Sequence, residues 1–494
     1  MSTGLMSRFN ILQQSPHDLL PPEDARPLEN GKSRWLPSRY NIRATTADGR
    51  LVLWNSFSGT MSVFAAAQKE KLEALLGRKG FEARQDGIVK YLFDRGFLVK
   101  EGTDEYRRLQ VGFGQQHFRN DTLQLILLAS EDCNFRCQYC YEDFPRGTML
   151  PWVRNGIKNL VQAKLKGLRS FSISWFGGEP LYGLLAIEEL APFFLETARS
   201  NDLRYSAVMT TNGYLLTPEV ADKLLAWQIN SFQITLDGPA EDHDRSRPAR
   251  DGGGTFATIF ENLKALRSQP DDFNVDIRVN FDRHNYPHLE GFLDMLEKEF
   301  RGDSRFAVRF RSVGRWGGAN DQNLDVCGAD ESARIHLQMK TEARKRGLAL
   351  SDDIRSVKGL GAQVCYAARP YNFIIGASGK IMKCTIDLDK EDRNVVGHLT
   401  EEGALELDQD KMALWTEPAF ERDTQCQKCV VLPVCQGVYC PLVRIETAKS
   451  PCTPLRMGAK KELLEAVENF GEATRKVAIR DGVIHSEEPV SVPS

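Results

Sequence analysis

The feature that most constrains the fold is a series of six short apolar segments between residues 122 and 345. Their sequences are TLQLILLA, SFSISWF, YSAVMTT, SFQITLD, VDIRVNF and FAVRFRS, and amphipathic helical patterns separate most of them. Alternating strands and helices form parallel sheets, because a helical crossover returns each strand in the same direction. The pattern predicts an α/β fold with a curled or closed parallel sheet and a ligand site at the C-terminal ends of its strands.

The chain has 494 residues, which exceeds what one hydrophobic core supports. We expect a flexible, proline-containing leader at 1–33, and a small α+β, winged-helix-like module with a linker at 34–121. In that module, YNIRAT and LVLW are typical of strands, and SVFAAAQKEKLEALL and GIVKYLFDRGFLV are typical of helices. The parallel-sheet domain follows at 122–345, a cysteine-rich domain at 346–456, and a C-terminal helix and tail at 457–494.

Charge and hydropathy exclude several classes of protein. The 64 basic and 67 acidic side chains leave a net charge of −3, and no polybasic block favours binding to nucleic acid. The longest apolar runs, such as Leu125–Ala129, are far shorter than the roughly 18 residues of a membrane span. The N-terminus lacks the pattern of a secretory signal, so we expect a cytoplasmic protein without a membrane partner.

Eleven cysteines in a chain expected to be cytoplasmic favour metal ligation over disulfides. Cys133, Cys137 and Cys140 follow the first strand in C-x3-C-x2-C spacing. A structural zinc needs a fourth ligand, yet the loop contains no His and the next thiol is Cys327, so zinc or inert thiols are the weaker alternatives. A 4Fe-4S cluster held by three thiolates keeps one iron open for a small molecule.

The cysteine trio, with the aromatic Tyr139 before its last member, resembles the signature of radical S-adenosylmethionine (SAM) enzymes. The resemblance implies a partial (β/α)6 TIM-like barrel, which agrees with the six apolar segments. It also implies that the open iron chelates SAM and that the reduced cluster cleaves SAM to a 5′-deoxyadenosyl radical, which removes hydrogen from a C–H bond. Tyr139 would lie near SAM in this family; a core aromatic is the alternative.

Further segments at the strand ends strengthen the resemblance. Gly177-Gly178-Glu179 follows the second strand, where the family places a turn against the methionyl end of SAM. The glycines would permit close approach and the carboxylate would suit an ammonium group. The alternative is an ordinary strand-to-helix turn with a capping glutamate.

By the same resemblance, Asn212 and Thr235 would line the ribose and methionine pocket, and Arg247 would touch SAM. Asn212 and the nearby Asp237 are equally typical of turns, and Arg247 of a surface. The glycine run before Thr255 lacks the features of a phosphate loop and predicts a flexible loop with a threonine N-cap.

Seven further cysteines lie within residues 346–456, and their spacing resembles the SPASM extension of radical SAM enzymes, which carries two auxiliary 4Fe-4S clusters. The distal cluster would be held by Cys426, Cys429, Cys435 and Cys452. The proximal cluster would be held by Cys365, Cys384 and Cys440, with Cys327 either a fourth ligand or a plain thiol. One or two zinc sites are the alternative. Four residues separate Cys435 from Cys440, where the family usually has three.

The resemblance covers about residues 122–456 and leaves two enzyme classes open. Sulfatase-maturing relatives have an Asp at the position of Thr385; here Asp387 stands two residues further on. The module at 34–108 resembles leader-binding elements of peptide maturases, and Leu51–Trp54 could accept an extended leader if it were an exposed edge strand. We therefore favour a maturase that oxidatively cross-links or otherwise modifies a ribosomal precursor peptide.

This interpretation implies SAM, three 4Fe-4S clusters, a precursor-peptide partner and an electron donor such as flavodoxin or ferredoxin. Asp237 and Asp387 are the candidate catalytic groups. The alternatives are an anaerobic sulfatase-maturing enzyme and, from another class, an iron–sulfur electron carrier or zinc scaffold.

Overall fold

The computed structural model describes residues 32–142, 147–351, 359–388, 390–470, 476–480 and 483–486. The leader expected at 1–33 lies outside these residues, except for its last two. The chain forms two compact units, one drawn from Met1–Phe118, Asp353–Ala368 and Glu417–Ser494, the other from Arg119–Asp352 and Arg369–Thr416. The domain boundaries given above stay predictions.

The first unit contains two small sheets, seven described α-helices and two described 3₁₀ helices, of which one spans Tyr366–Ala368. An antiparallel three-stranded sheet has the order β5-β1-β6, and a five-stranded sheet has the order β19-β18-β4-β3-β2. The strands are β1 Lys32–Pro37, β2 Asn41–Thr45, β3 Leu51–Asn55, β4 Met61–Phe64, β5 Phe81–Arg84, β6 Leu98–Lys100, β18 Lys476–Arg480 and β19 Val483–Ser486. The α-helices are α1 Ala66–Leu76, α2 Gly87–Asp94, α3 Glu105–His117, α12 Thr424–Gln427, α13 Leu432–Cys435, α14 Pro441–Thr447 and α15 Leu455–Phe470; a 3₁₀ turn spans Ala419–Glu421.

Three expectations about this unit are wrong. The first three residues of SVFAAAQKEKLEALL, at 62–64, lie in strand β4, and the helix α1 begins only at Ala66. The helical pattern GIVKYLFDRGFLV ends at Asp94, because Gly96 takes a φ of +78° and the chain turns into β6. The run at β3 is not an edge strand: it pairs with β2 on one side and β4 on the other, and all five of its residues are buried. A leader therefore cannot add to β3 as an extra strand.

The second unit is built on an eleven-stranded sheet of order β13-β12-β11-β10-β9-β8-β7-β14-β15-β16-β17. The six predicted strands are confirmed as β7–β12, neighbouring and parallel. The strands are β7 Thr122–Ser130, β8 Ser170–Gly177, β9 Arg204–Thr211, β10 Ile229–Thr235, β11 Asn274–Phe281, β12 Phe306–Ser312, β13 Ala349–Leu350, β14 Asn372–Ile375, β15 Lys380–Met382, β16 Val395–Leu399 and β17 Leu405–Leu407. The helices are α4 Pro151–Lys164, α5 Leu184–Ser200, α6 Pro218–Ala226, α7 Ala240–Ser246, α8 Phe256–Arg267, α9 Leu289–Phe300, α10 Ala329–Lys345 and α11 Gln409–Thr416.

Side-chain alternation in the parallel strands separates an apolar from a polar face. In β8, Phe171, Ile173 and Trp175 are buried, and the ring of Phe171 lies 6.0 Å from that of Phe194 in α5. Ser172 and Ser174 alternate with them and are less buried. The helices thus cover the apolar face, and the ends of the strands carry polar side chains.

The helix after the glycine run begins as expected, but its cap differs. Thr255 precedes α8, yet its hydroxyl donates to the Arg247 carbonyl, 2.8 Å away. The Asp244 carboxylate accepts instead from the Thr255 and Phe256 backbone N–H groups, each at 2.7 Å. No helix among the described residues combines the length and apolarity needed to cross a membrane.

A cysteine-lined cavity as the candidate active site

A cavity of about 1010 Å³, open to solvent, lies at the C-terminal ends of the parallel strands in the second unit. Cys133, Cys137 and Cys140 all line it. Strand-end residues from β8 to β12 complete the wall, namely Gly177, Gly178, Thr210, Thr211, Asn212, Gln233, Thr235, Arg278, Asn280 and Ser312, together with Arg247. The size suits a small-molecule ligand.

The glycines after β8 hold the cysteine loop in place. Gly177 has a φ of +121°, and a Cβ there would lie 2.0 Å from the Ser130 carbonyl oxygen. A Cβ on Gly178 would lie 2.6 Å from the Asp132 oxygen and 3.1 Å from the Cys133 Cβ. These glycines line the cavity, and they also permit the turn to pack closely against the loop that carries the cysteines.

Glu179 is fully buried behind that turn. Its carboxylate accepts from the Thr211 hydroxyl and the Asn212 N–H, both at 2.7 Å, and from the Leu181 N–H at 2.9 Å. Burial raises the pKa of Glu179, and these donors oppose the increase. The side chain thus ties the end of β9 to the glycine turn, and contact with an ammonium group stays a prediction.

A buried hydrogen-bond network centres on Tyr139. Its hydroxyl donates to Asp237 Oδ2 at 2.5 Å and accepts from Arg247 Nη1 at 2.7 Å and Asn280 Nδ2 at 3.0 Å. Asp237 also accepts from the Ser246 hydroxyl at 3.2 Å and the Asn280 N–H at 3.1 Å. Burial raises the pKa of both Tyr139 and Asp237.

Arg247 supplies a positive charge at the cavity wall. It is 7% exposed, and its Nε has no hydrogen-bond partner among the residues that the structure describes. Burial opposes its charge, but the neighbouring Cys137, Tyr139 and Asp237 hold the pKa of the guanidinium well above its usual range. An unpartnered buried donor beside a cavity fits an anionic group of a bound ligand.

The three thiols that line the cavity suit an iron–sulfur cluster, because its iron ions supply the positive charge that ionised thiols need there. Burial raises the pKa of Cys133 and Cys140 to about 12 and also raises that of Cys137. Thiolates there need a metal to remain ionised. Within the described ranges, no three His, Cys, Asp or Glu side chains are arranged to hold a single metal ion; a four-iron cluster binds its thiolates at separate iron corners.

The other candidate residues occupy different surroundings. Asp237 does not line the cavity, and its oxygens are held by the network. Asp387 accepts from Arg393 Nε at 2.7 Å and Nη2 at 2.8 Å, which makes it half of an ion pair. The Cys384 backbone N–H donates to Asn394 Oδ1 at 2.8 Å. Cys327 is half-buried at the loop before α10.

The first unit brings the predicted distal quartet together. Cys426, Cys429, Cys435 and Cys452 all line one pocket of about 330 Å³. Burial raises the pKa of Cys426 to about 12 and that of Cys435 to about 11. Cys365 and Cys440 belong to this unit but do not line the pocket, and Cys384 belongs to the other unit. Ligation by each cysteine stays a prediction.

Sequence reasoning missed several residues at both sites. Asn280 lies one residue before the end of β11 and contacts Tyr139, and its place near a strand end would have identified it. Arg278 and Trp316 line the large cavity, and Trp316 is 52% exposed. Arg456 donates to Cys452 Sγ at 2.8 Å, and nothing in its sequence neighbourhood distinguishes it from other helix arginines.

A parallel α/β sheet with three cysteines after its first strand and a glycine turn after its second defines a class of SAM-binding proteins. Residues 127–296 match the family model of the radical SAM superfamily, and this part of the chain is a radical SAM domain. The expected α/β class with a large, mostly parallel sheet is therefore confirmed, and such a domain implies SAM and a 4Fe-4S cluster.

Curated relatives include two maturases. A cysteine-type anaerobic sulfatase-maturating enzyme of Clostridium novyi is 24% identical over 333 residues, which cover 63% of this chain and 86% of that protein. A mycofactocin maturase of Mycobacterium ulcerans is 27% identical over 185 residues, 37% of this chain and 46% of that protein. The chain spans 57% of the length of an uncharacterized Methanocaldococcus jannaschii protein, with 26% identity over 172 residues.

A solved structure has the same fold. It is described as native anSMEcpe with bound AdoMet and Cp18Cys peptide, and it superposes with a TM-score of 0.52 at 18% sequence identity. The alignment covers 70% of this chain and 97% of that one. At this level of identity the likeness establishes the shared α/β fold with its large, mostly parallel sheet.

Proposed function

We propose that the chain is a radical SAM/SPASM peptide maturase, with a partial (β/α)6 barrel, that oxidatively modifies a ribosomally made precursor peptide. The observation that carries this is the meeting of three thiols, the glycine turn and the charged Arg247 in one cavity. When bound, a 4Fe-4S cluster and SAM would supply a carbon-centred radical able to remove hydrogen from an unactivated C–H bond.

The protein's own residues would prepare the cavity for that chemistry. Cys133, Cys137 and Cys140 would hold the cluster and leave one iron for SAM. Arg247 would bind the SAM carboxylate through a charge-assisted hydrogen bond, and Tyr139 would fix the guanidinium by accepting from it. Because Asp237 accepts the Tyr139 proton, the hydroxyl is oriented with its lone pairs toward Arg247 and Asn280.

A peptide substrate is supported by the relatives and by the N-terminal segment. One relative matures a sulfatase, another is a mycofactocin maturase, and the solved neighbour holds a peptide by its description. Residues 34–108 form strands and helices of their own ahead of the radical SAM domain. A docked leader would raise the effective concentration of the segment to be modified.

Anaerobic sulfatase maturation is the second candidate. The 86% coverage of the Clostridium novyi enzyme favours this candidate. Thr385 does not favour it, because sulfatase-maturing relatives have an Asp at this position. Mass spectrometry would separate the two candidates after anaerobic reaction. Formylglycine in a sulfatase peptide would support the second, and a modified product of a neighbouring short open reading frame would support the first.

The radical SAM assignment of the cavity is tested by replacing Cys133, Cys137 and Cys140 together by Ala. The variant should lose about four irons and all SAM cleavage to 5′-deoxyadenosine, because no open-iron cluster remains. Cys327→Ala is the matched control, because it removes a thiol that belongs to the same unit but lies outside the cavity. This variant should retain SAM cleavage. Persistent deoxyadenosine production by the triple variant would refute the assignment.

A further inference from the structure

The distal cysteine pocket has a charged hydrogen-bond donor on one of its sulfurs. Arg456 lies near the start of α15, lines the pocket, and donates from Nη1 to Cys452 Sγ at 2.8 Å. Arg456 is not one of the predicted cluster ligands, but it contacts Cys452, which is one of them.

An opposite charge lies beside another sulfur of the same pocket. Asp423 precedes α12, and its Oδ1 accepts from the backbone N–H groups of Gln425 at 2.8 Å and Cys426 at 3.3 Å. The pocket therefore has a cation at Cys452 and an anion at Cys426. Substitutions that neutralise Arg456 and Asp423 therefore change the charge at this pocket in opposite directions.

We propose that Arg456 sets the reduction potential of the iron–sulfur cluster held by Cys426, Cys429, Cys435 and Cys452, raising it by a charge-assisted hydrogen bond to the Cys452 sulfur. This inference rests on the proposed function, which places a 4Fe-4S cluster in the pocket. Reduction adds one negative charge to the cluster, and a neighbouring cation stabilises the form that carries it. Hydrogen bonds to cluster sulfurs act in the same direction.

A raised potential suits the oxidative step of the proposed reaction. A substrate radical that becomes a closed-shell product loses one electron and one proton. The electron would enter the distal cluster and leave to a small redox protein of the flavodoxin or ferredoxin class. Arg456 would make this cluster a better acceptor, whereas Asp423 would act against it.

The test is a redox titration of the full, reconstituted chain, followed by electron paramagnetic resonance. In Arg456→Gln one midpoint potential should become more negative while the others stay unchanged, and Arg456→Lys should fall between wild type and Gln. Asp423→Asn, which retains an N-cap side chain, should move the same midpoint in the opposite direction. Lys461→Gln removes a charge from α15 outside the pocket lining and should move none.

Three results would overturn the inference, and they are distinguishable. If Cys429→Ala leaves the iron content unchanged, the pocket holds no cluster, and the proposed auxiliary cluster fails together with the inference. If iron is bound there and Arg456→Gln moves no midpoint beyond the Lys461→Gln control, the proposed function stands and the role of Arg456 fails. An equal shift of all midpoints would also contradict it, since that would be a general charge effect.

Discussion

At the scale of single residues, the Tyr139 hydroxyl makes three hydrogen bonds at the cavity wall. It joins Asp237, Arg247 and Asn280, and all four side chains are nine-tenths buried or lie within the cavity wall. A hydrogen bond removed from such a site leaves charged partners without compensation in a medium of low polarity. The same hydrogen bonds therefore stabilise the second unit and hold Arg247 in position.

Replacing Tyr139 by Phe should destabilise the second unit by about 1 to 3 kcal/mol, because Asp237 loses a donor and Arg247 an acceptor. Chemical denaturation of the anaerobically purified chain would measure the loss. We also expect weaker SAM binding, since Arg247 would no longer be held toward the cavity.

Tyr205→Phe is the matched control for this change. Tyr205 is a tyrosine of β9 in the same unit, and its buried hydroxyl has no hydrogen-bond partner among the described residues. Its removal should leave stability unchanged or slightly improved, because no partner is lost. Equal destabilisation by the two substitutions would show that the Tyr139 network contributes nothing specific.

At the scale of elements, the ends of β7 and β8 determine where the cysteine loop lies. The turn after β8 packs against that loop so closely that neither Gly177 nor Gly178 has room for a side chain. Gly178 N–H also donates to the Ser130 carbonyl at 3.1 Å, and Glu179 N–H to the Asp132 carbonyl at 3.0 Å. The two strands therefore act as one support for the thiols.

Gly178→Ala should displace the loop that carries Cys133, since the new methyl group would lie 2.6 Å from the Asp132 oxygen. Overpacking of this kind costs about 1 to 3 kcal/mol. Iron analysis and equilibrium SAM binding should both show a loss confined to the radical SAM cluster. Gly291→Ala in α9, where a Cβ meets nothing within 4 Å, should retain full iron and SAM binding. Normal SAM binding by Gly178→Ala would show that the loop position is set elsewhere.

At the scale of the whole molecule, the two cysteine sets belong to different compact units. The cavity trio lies in the unit built on the eleven-stranded sheet, and the quartet lies in the other. Cys429 packs against a core that includes Trp54 and Leu463. Damage at the quartet is therefore expected to leave the parallel sheet intact.

Cys429→Ala should remove about four irons and sharply reduce peptide modification while SAM cleavage persists, because radical formation requires only the cavity trio. Iron content, 5′-deoxyadenosine yield and product yield should be measured on the same preparation, with circular dichroism as the check on folding. Parallel loss of both activities in a folded variant would mean that the two sites do not divide the reaction as proposed.

Local sequence by itself determined the six neighbouring parallel strands of the second unit and indicated the cofactor class. Strands β7–β12 are short β-type runs bounded by turns, and C-x3-C-x2-C places three thiols on one loop whatever the rest of the chain does. Both features depend on neighbours within a few residues. The match of residues 127–296 to the radical SAM superfamily agrees with them.

Only the tertiary structure decided which distant groups meet. Tyr139 and Asp237 are 98 residues apart in sequence, and no local pattern records their hydrogen bond. The central place of β3 depends on pairing with β2 and β4, and the turn at Gly96 overrides a helical pattern. Cys452 gains its donor because α15 begins beside the quartet. Sheet order, burial and side-chain pairing arise from contacts between remote segments, so they follow from the folded chain as a whole.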